Sequence, residues 1–243
     1  MGANIGYLFG TTINDIYAVP EAANNALFER VVQVRDYHLQ FGVQYSLDLN
    51  RDNKLTAGIT YSPSKSLLGH AWRVNYYNIG SSDVSADTVA KYTLPDTWGF
   101  GLNYQWRERL MLEADVTYQN WKNVKYAELD QENGMMEFNN RLRFGLGAQY
   151  VPYHRGNFAQ RVSYRIGGYY SNDYIKIGAN DVKEYGVSLG FGLPAPGSKT
   201  MVNLGFEWKH RQGTPNALIK EDYLSITLGI NVNELWFYQN KIR

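Results

Sequence analysis

Between Tyr37 and Leu49 the chain alternates without a break. Tyr37, Leu39, Phe41, Val43, Tyr45, Leu47 and Leu49 fall on one parity, with His38, Gln40, Gly42, Gln44, Ser46 and Asp48 on the other. Side chains of a strand point to opposite faces with period two, so this segment predicts a strand with one apolar face and one small or polar face. Trp98, Phe100, Leu102, Tyr104 and Trp106 repeat the pattern, as do Leu110, Leu112, Ala114, Val116 and Tyr118. Alternation and turn residues together predict ten strands, at about residues 3–9, 37–49, 54–62, 97–106, 110–121, 139–150, 161–171, 184–193, 200–209 and 222–232. Soluble strands average about five or six residues, whereas a strand crossing a bilayer at a tilt takes about nine to eleven. Length therefore favours a membrane setting. A lipocalin-like soluble barrel would turn the same apolar face inward, and alternation alone does not say which face is in.

The connections alternate in length. Residues 50–53, 107–109 and 194–199 are tight and polar, 151–160 is intermediate, and 10–36, 63–96 and 122–138 are long. Outer-membrane barrels pair short periplasmic turns with longer external loops in this way. The expected architecture is all-β: an antiparallel up-and-down transmembrane β-barrel, forming a single domain over 1–243. A short helix is expected in the first long loop. Pro20 suits a first helical position, Glu21 complements the helix dipole, and Ala23, Leu27, Val31 and Val34 follow at helical spacing. Residues 31–35 can alternatively extend the following strand.

Composition narrows the function classes. Twenty-four Lys+Arg against 23 Asp+Glu give a net charge of +1, so bulk electrostatics offers no case for nucleic acid or an acidic partner. Aromatic residues make up 15% of the chain, and amphipathic rings collect where a membrane meets water. Cysteine is absent, which removes disulfides and thiolate metal sites. No run of eighteen apolar residues occurs, so a helical span is excluded and a closed barrel is not. Met1 leads at once into alternating residues with no signal peptide, so the sequence is expected to begin inside a longer mature protein.

Two stretches carry a resemblance. Residues 93–124 run TLPDTWGFGLNYQWRERLMLEADVTYQNWKNV, in which Leu94, Pro95, Gly99, Gly101, Leu112, Ala114, Asp115 and Trp121 match a Leu-Pro loop end, a Gly-rich strand, a tight turn and an Asp- and Trp-bearing strand. This resembles the fatty-acid transporter (FadL/TodX-type) family of the bacterial outer membrane. Residues 164–237, with YRIGGYY, EYGVSLGFGLP and LIKEDYLSITLGINVNELWF, look like the C-terminal third of its Bacteroidetes-type members. The resemblance implies a fourteen-stranded barrel of which these are the last ten strands, its hatch and early strands lying before residue 1. It also implies passive uptake of hydrophobic molecules such as long-chain fatty acids, with membrane lipids and a hydrophobic small molecule as partners.

The candidate residues follow from both readings. An apolar capture groove is expected from Leu27, Phe28 and Val31 opposite Leu67, Leu68, Trp72 and Tyr76; the same residues would equally pack two loops together or meet lipid. The polar face gathers Glu113, Asp115 and Glu207 with Arg141, Arg143, Arg161, Arg165 and Lys209, a mixed-sign network expected to cross-link strands rather than line a solute path. Gly145, Gly147, Gly186, Gly190, Gly192 and Gly205 fall on that face. The four histidines allow a rim Asp/His or Ser/His pair but no nucleophile elbow or metal-ligand spacing accompanies them, so no catalytic residue, metal or cofactor is assigned. Asp48, Asn50 and Asp52 imitate the start of a calcium loop that Asn53 and Ile59 then fail to complete. The alternative function is a non-transporting structural or accessory barrel subunit of an outer-membrane assembly, with outer-membrane protein partners. Leu235, Trp236, Phe237 and Tyr238, followed by Lys241 and Arg243, would serve as its interfacial anchor or partner contact.

Overall fold

The computed structural model describes residues 1–18, 26–77, 82–87, 92–124, 136–177, 179–195, 200–216 and 220–232. Strict alternation over long stretches leaves the backbone nothing to do but pair with itself, and the described chain is almost all strand. In chain order these are β1 (Gly2–Ala18), β2 (Ala26–Asn50), β3 (Asn53–Ser62), β4 (Lys65–Leu67), β5 (Gly69–Tyr77), β6 (Ser82–Asp87), β7 (Tyr92–Leu94), β8 (Thr97–Trp106), β9 (Leu110–Gln119), β10 (Met136–Phe138), β11 (Arg141–Tyr150), β12 (Ser163–Ile177), β13 (Asn180–Pro194), β14 (Met201–Thr214) and β15 (Lys220–Asn231). A single turn of helix, α1 (Phe158–Arg161), precedes β12.

All pairings are antiparallel and follow chain order, β15-β14-β13-β12-β11-β9-β8-β3-β2. β1 runs along one side of β2, while β3 and then β5 occupy the other. The ten expected strands correspond to β1, β2, β3, β8, β9, β11, β12, β13, β14 and β15, several of them longer than the alternation marked. Among the described residues β1 and β15 are edges of this sheet and do not pair with each other. β4 and β7 form a separate two-stranded ladder inside the 63–96 connection.

The register carries the alternation from strand to strand. Val43, Ile59, Phe100, Val116, Phe144, Tyr170 and Tyr185 stand opposite one another in a row across seven strands. On the other face Ser46, Thr56, Asn103, Glu113, Gly147, Gly167, Ser188, Glu207 and Ser225 form a corresponding row. The apolar row is not a core. Phe100 is 49% exposed and Leu146 68%, while only Val31, Val74, Val151, Val162 and Val182 are buried apolar residues among those described. An apolar surface of this extent is a contact surface for something other than water.

The expected helix in the first long loop is not formed. Leu27, Val31 and Val34 lie in β2, where they pair with Tyr76, Trp72 and Gly69 of β5. Residues four apart share a face in a strand as well as in a helix, so the spacing fitted both. Val31, Val32 and Val34, β-branched, and two neighbouring strands to bond with decide for the strand. Pro20, Glu21 and Ala23 lie outside the described residues.

The β8–β9 hairpin turns on Arg107 and Glu108, both in the left-handed region at φ 51° and 56°. That is the geometry a two-residue primed turn requires, and it favours Asn and Gly. Arg107 offsets part of the strain by donating from its guanidinium to Asp52 at 2.9 Å and from its backbone N–H to the Asp52 carbonyl at 2.7 Å. Strain of about 1 kcal/mol per residue exceeds the roughly 0.2–1 kcal/mol of an exposed ion pair. Replacing the pair by Asn-Gly (Arg107→Asn with Glu108→Gly) is therefore expected to stabilise the fold by about 1 kcal/mol, read from denaturant midpoints.

Candidate functional site

The polar face concentrates the candidate chemistry, because the strand parity collects every expected charged residue there except one. Glu113, Asp115, Arg141, Arg143, Arg165, Glu207 and Lys209 all point to it; Arg161 instead sits in α1 at the turn before β12. The expected single network resolves into separate contacts. Arg165 donates to Gln149 at 2.7 Å and to Asn203 at 2.8 Å, tying β11, β12 and β14 through side chains. Arg143 stacks its guanidinium 4.3 Å from the Tyr169 ring centre, and Tyr169 donates to Glu184 at 2.9 Å. Glu113 accepts from Asn103 at 2.7 Å, and Arg141 reaches Ser171 at 3.4 Å. Among the described residues no salt bridge joins Glu113, Asp115 or Glu207 to Arg141, Arg143 or Arg165. A cavity of about 570 Å³ opens beside them, lined by Asn4, Gln40, Asn103 and Asp115 together with apolar Phe41 and Ile59.

Glycines of this face make room for their neighbours. A Cβ on Gly186 would stand 2.6 Å from the Tyr169 ring, so the glycine is what lets that ring lie flat between Arg143 and Glu184.

The seven groove residues do not face each other across two loops. Leu27 and Tyr76 are cross-strand partners in the β2–β5 ladder, as are Val31 and Trp72. Leu67 pairs with Tyr92 in the small ladder and Leu68 is exposed; the side chains of Leu27, Phe28 and Tyr76 lie outside the described set, as does the whole of 233–243.

What does anchor the long connection is Asp36, which alternation marked only as a slip in parity. Its side chain is buried and accepts from Lys65, from the Leu68 backbone N–H at 2.8 Å and from the Tyr37 N–H at 2.7 Å. Lys65 in turn lies 3.4 Å from the centre of the Tyr37 ring. The Lys65 ammonium, then the Leu68 N–H, hold the Asp36 carboxyl below its ordinary pKa against the opposing effect of burial. Asp36 lies one residue before Tyr37, where the apolar alternation begins.

Two histidine pairs occur near the same rim. His38 Nε2 lies 2.6 Å from Ser62 Oγ, but the hydroxyl gives its one proton to the Leu39 carbonyl at 2.7 Å. The imidazole is thereby the donor, the reverse of a base drawing a proton from serine. His210 has Nδ1 2.7 Å from Asp222 and Nε2 3.1 Å from Gln212, which leaves neither nitrogen turned to a water. His70, expected in a loop, is in β5.

A family model named BamG matches residues 1–243. The chain belongs to the BamG family. BamG is a family of the outer-membrane β-barrel assembly machinery, and membership associates the chain with the bacterial outer membrane and with outer-membrane protein partners. Neither the curated proteins nor the solved structures yield a match. The BamG match overturns the FadL/TodX reading, and with it fatty-acid uptake and the lipid-transport role taken from that resemblance.

Breaking the Asp36 hub should free the 63–96 connection. Because the carboxyl pKa is lowered in the folded chain, its stabilising effect is complete above the ordinary Asp pKa and is lost only as pH falls through the lower folded value. Limited proteolysis of the 63–68 segment should therefore be unchanged between about pH 7 and pH 5. Asp36→Asn should cleave faster throughout that range; an unaltered cleavage rate would remove Asp36 from this role.

Proposed function

We propose that the chain is an accessory subunit of the outer-membrane β-barrel assembly machinery, set in the membrane as a strand wall with no solute to carry. The family match over the whole chain carries this reading. The apolar row from Val43 to Tyr185 supplies a lipid face, and rings such as Trp98, Tyr118 and Trp106 lie toward its margins. In hydrocarbon an unpaired backbone N–H or C=O costs several kcal/mol, so β1 and β15 need partners. The first and tenth strands of a meander run in opposite directions, and Ile5, Tyr7 and Phe9 share a face with Leu224, Ile226, Leu228 and Ile230. We read this as a barrel closed between those edges, with the tight turns on the periplasmic side.

The direct test is purification. A tagged chain drawn from detergent-solubilised outer membranes should bring the assembly machinery with it; repeated recovery of the chain alone would overturn the reading.

The membrane orientation makes a second, separable demand. Leu146→Arg should cost about 2–4 kcal/mol of folding into phospholipid vesicles, as an arginine on the lipid face does. Gly147→Ser, one residue on and with nothing within 4 Å of an added Cβ, should fold normally. Equal responses in a heat-modifiability gel would contradict the assignment of faces.

A further inference from the structure

Net charge conceals a segregation that appears only once the turns are gathered to one end of the sheet. The end that carries the tight turns presents Arg51, Arg107, Arg109, Arg155 and Arg161 with His154, against Asp52 and Glu108. In the sequence, the 122–138 connection holds Glu128, Asp130, Glu132 and Glu137 against Lys122 and Lys125.

The basic end is built rather than frayed. Asn157 and Gln160 cap α1 reciprocally, the Val151 N–H donates to the Arg109 carbonyl at 2.8 Å, and His154 Nε2 lies 2.8 Å from the Glu108 carbonyl. Val151 and Val162 are buried beneath it. The guanidinium of Arg109 stacks on Tyr153, 5.5 Å from the ring centre, and leaves that ring 46% exposed; Phe158 beside it is 50% exposed. Arg51 and Arg155 are exposed and make no ion pair among the described residues, and Arg161 Nε is buried with no hydrogen-bond partner. Two strained residues at the hairpin tip keep charges where Asn-Gly would sit more easily.

We propose that this end is a docking surface for an acidic segment of a partner protein, an inference that rests on the accessory-subunit reading. Arginines and two exposed aromatic rings carried on the turns of one end match carboxylates and apolar side chains together, the residue types on which protein interfaces concentrate their binding energy. A fixed backbone loses little entropy when a partner arrives. Asp52 and Glu108 stand among the arginines. Like charge there penalises any alignment that sets a carboxylate of the partner against them, which fixes the register.

The test uses the full chain in detergent and a fluorescein-labelled, glutamate-rich peptide of about ten residues, followed by anisotropy. The peptide should bind, and binding should weaken as salt rises from about 50 to about 300 mM. Arg51→Glu with Arg155→Glu should weaken it about tenfold, while Lys122→Glu with Lys220→Glu, the same charge change away from these turns, should have little effect. Arg51→Lys with Arg155→Lys should retain most of the binding. Equal losses in the two glutamate variants, no loss in either, or arginine-dependent retention of phosphatidylglycerol in native mass spectra without peptide binding would each overturn the proposal. Failure of the wild-type chain to bring down the assembly machinery would instead defeat the accessory reading, whatever the peptide does.

Discussion

Backbone hydrogen bonding governs this structure more than side-chain packing does. In the membrane setting proposed above, an apolar face against hydrocarbon has no water on that side to satisfy backbone N–H and C=O groups, so each strand must lie beside another. Among the described residues the long ladders from β1 to β15 meet that condition along the wall and leave β1 and β15 as edges. Once pairing is obligatory, parity does the rest: side chains are sorted by odd and even position into one apolar and one polar face, and the scarcity of buried apolar residues follows directly. The stabilising contribution that a soluble domain draws from its core is transferred here to the contact of the outer face with its surroundings.

This explains which parts were legible in the sequence. Ten strands could be placed because alternation is a local property, and the short turns at 50–53 and 107–109 are where it breaks. The residues around Leu27 and Val31 misled because spacing by four satisfies helix and strand alike. Only the presence of β1 and β5 on both sides of β2 resolves them. The charged residues could be assigned to one face, but partners depend on register between strands. Arg165 meets Gln149 and Asn203 rather than a carboxylate because those residues stand opposite or nearby once the ladders are aligned. Asp36 was visible only as an irregularity, since its partners come from a connection some thirty residues away.

The family resemblance failed for a related reason. Gly99, Gly101, Asp115 and Trp121 follow from demands common to two-faced strand walls: small residues on the polar face, tight turns, aromatic margins. Such features recur wherever the same physics applies, so they report the environment of the chain and say little about its work. The BamG match, which spans the chain, discriminates where local motifs do not.

The polar face bears on that work. Were the ten long strands to close on themselves as proposed, the bore would be scarcely wider than in the eight-stranded case, in which side chains fill the interior. Arg143, Tyr169, Glu184, Arg165 and Lys209 all project from the polar face, and their contacts run from strand to strand along it. A solute path needs polar groups that can exchange partners with a passing molecule, whereas these are engaged with one another. On that reading the wall holds a fixed shape through its cross-strand contacts, and recognition falls to its ends, where the basic turns proposed as a docking surface lie.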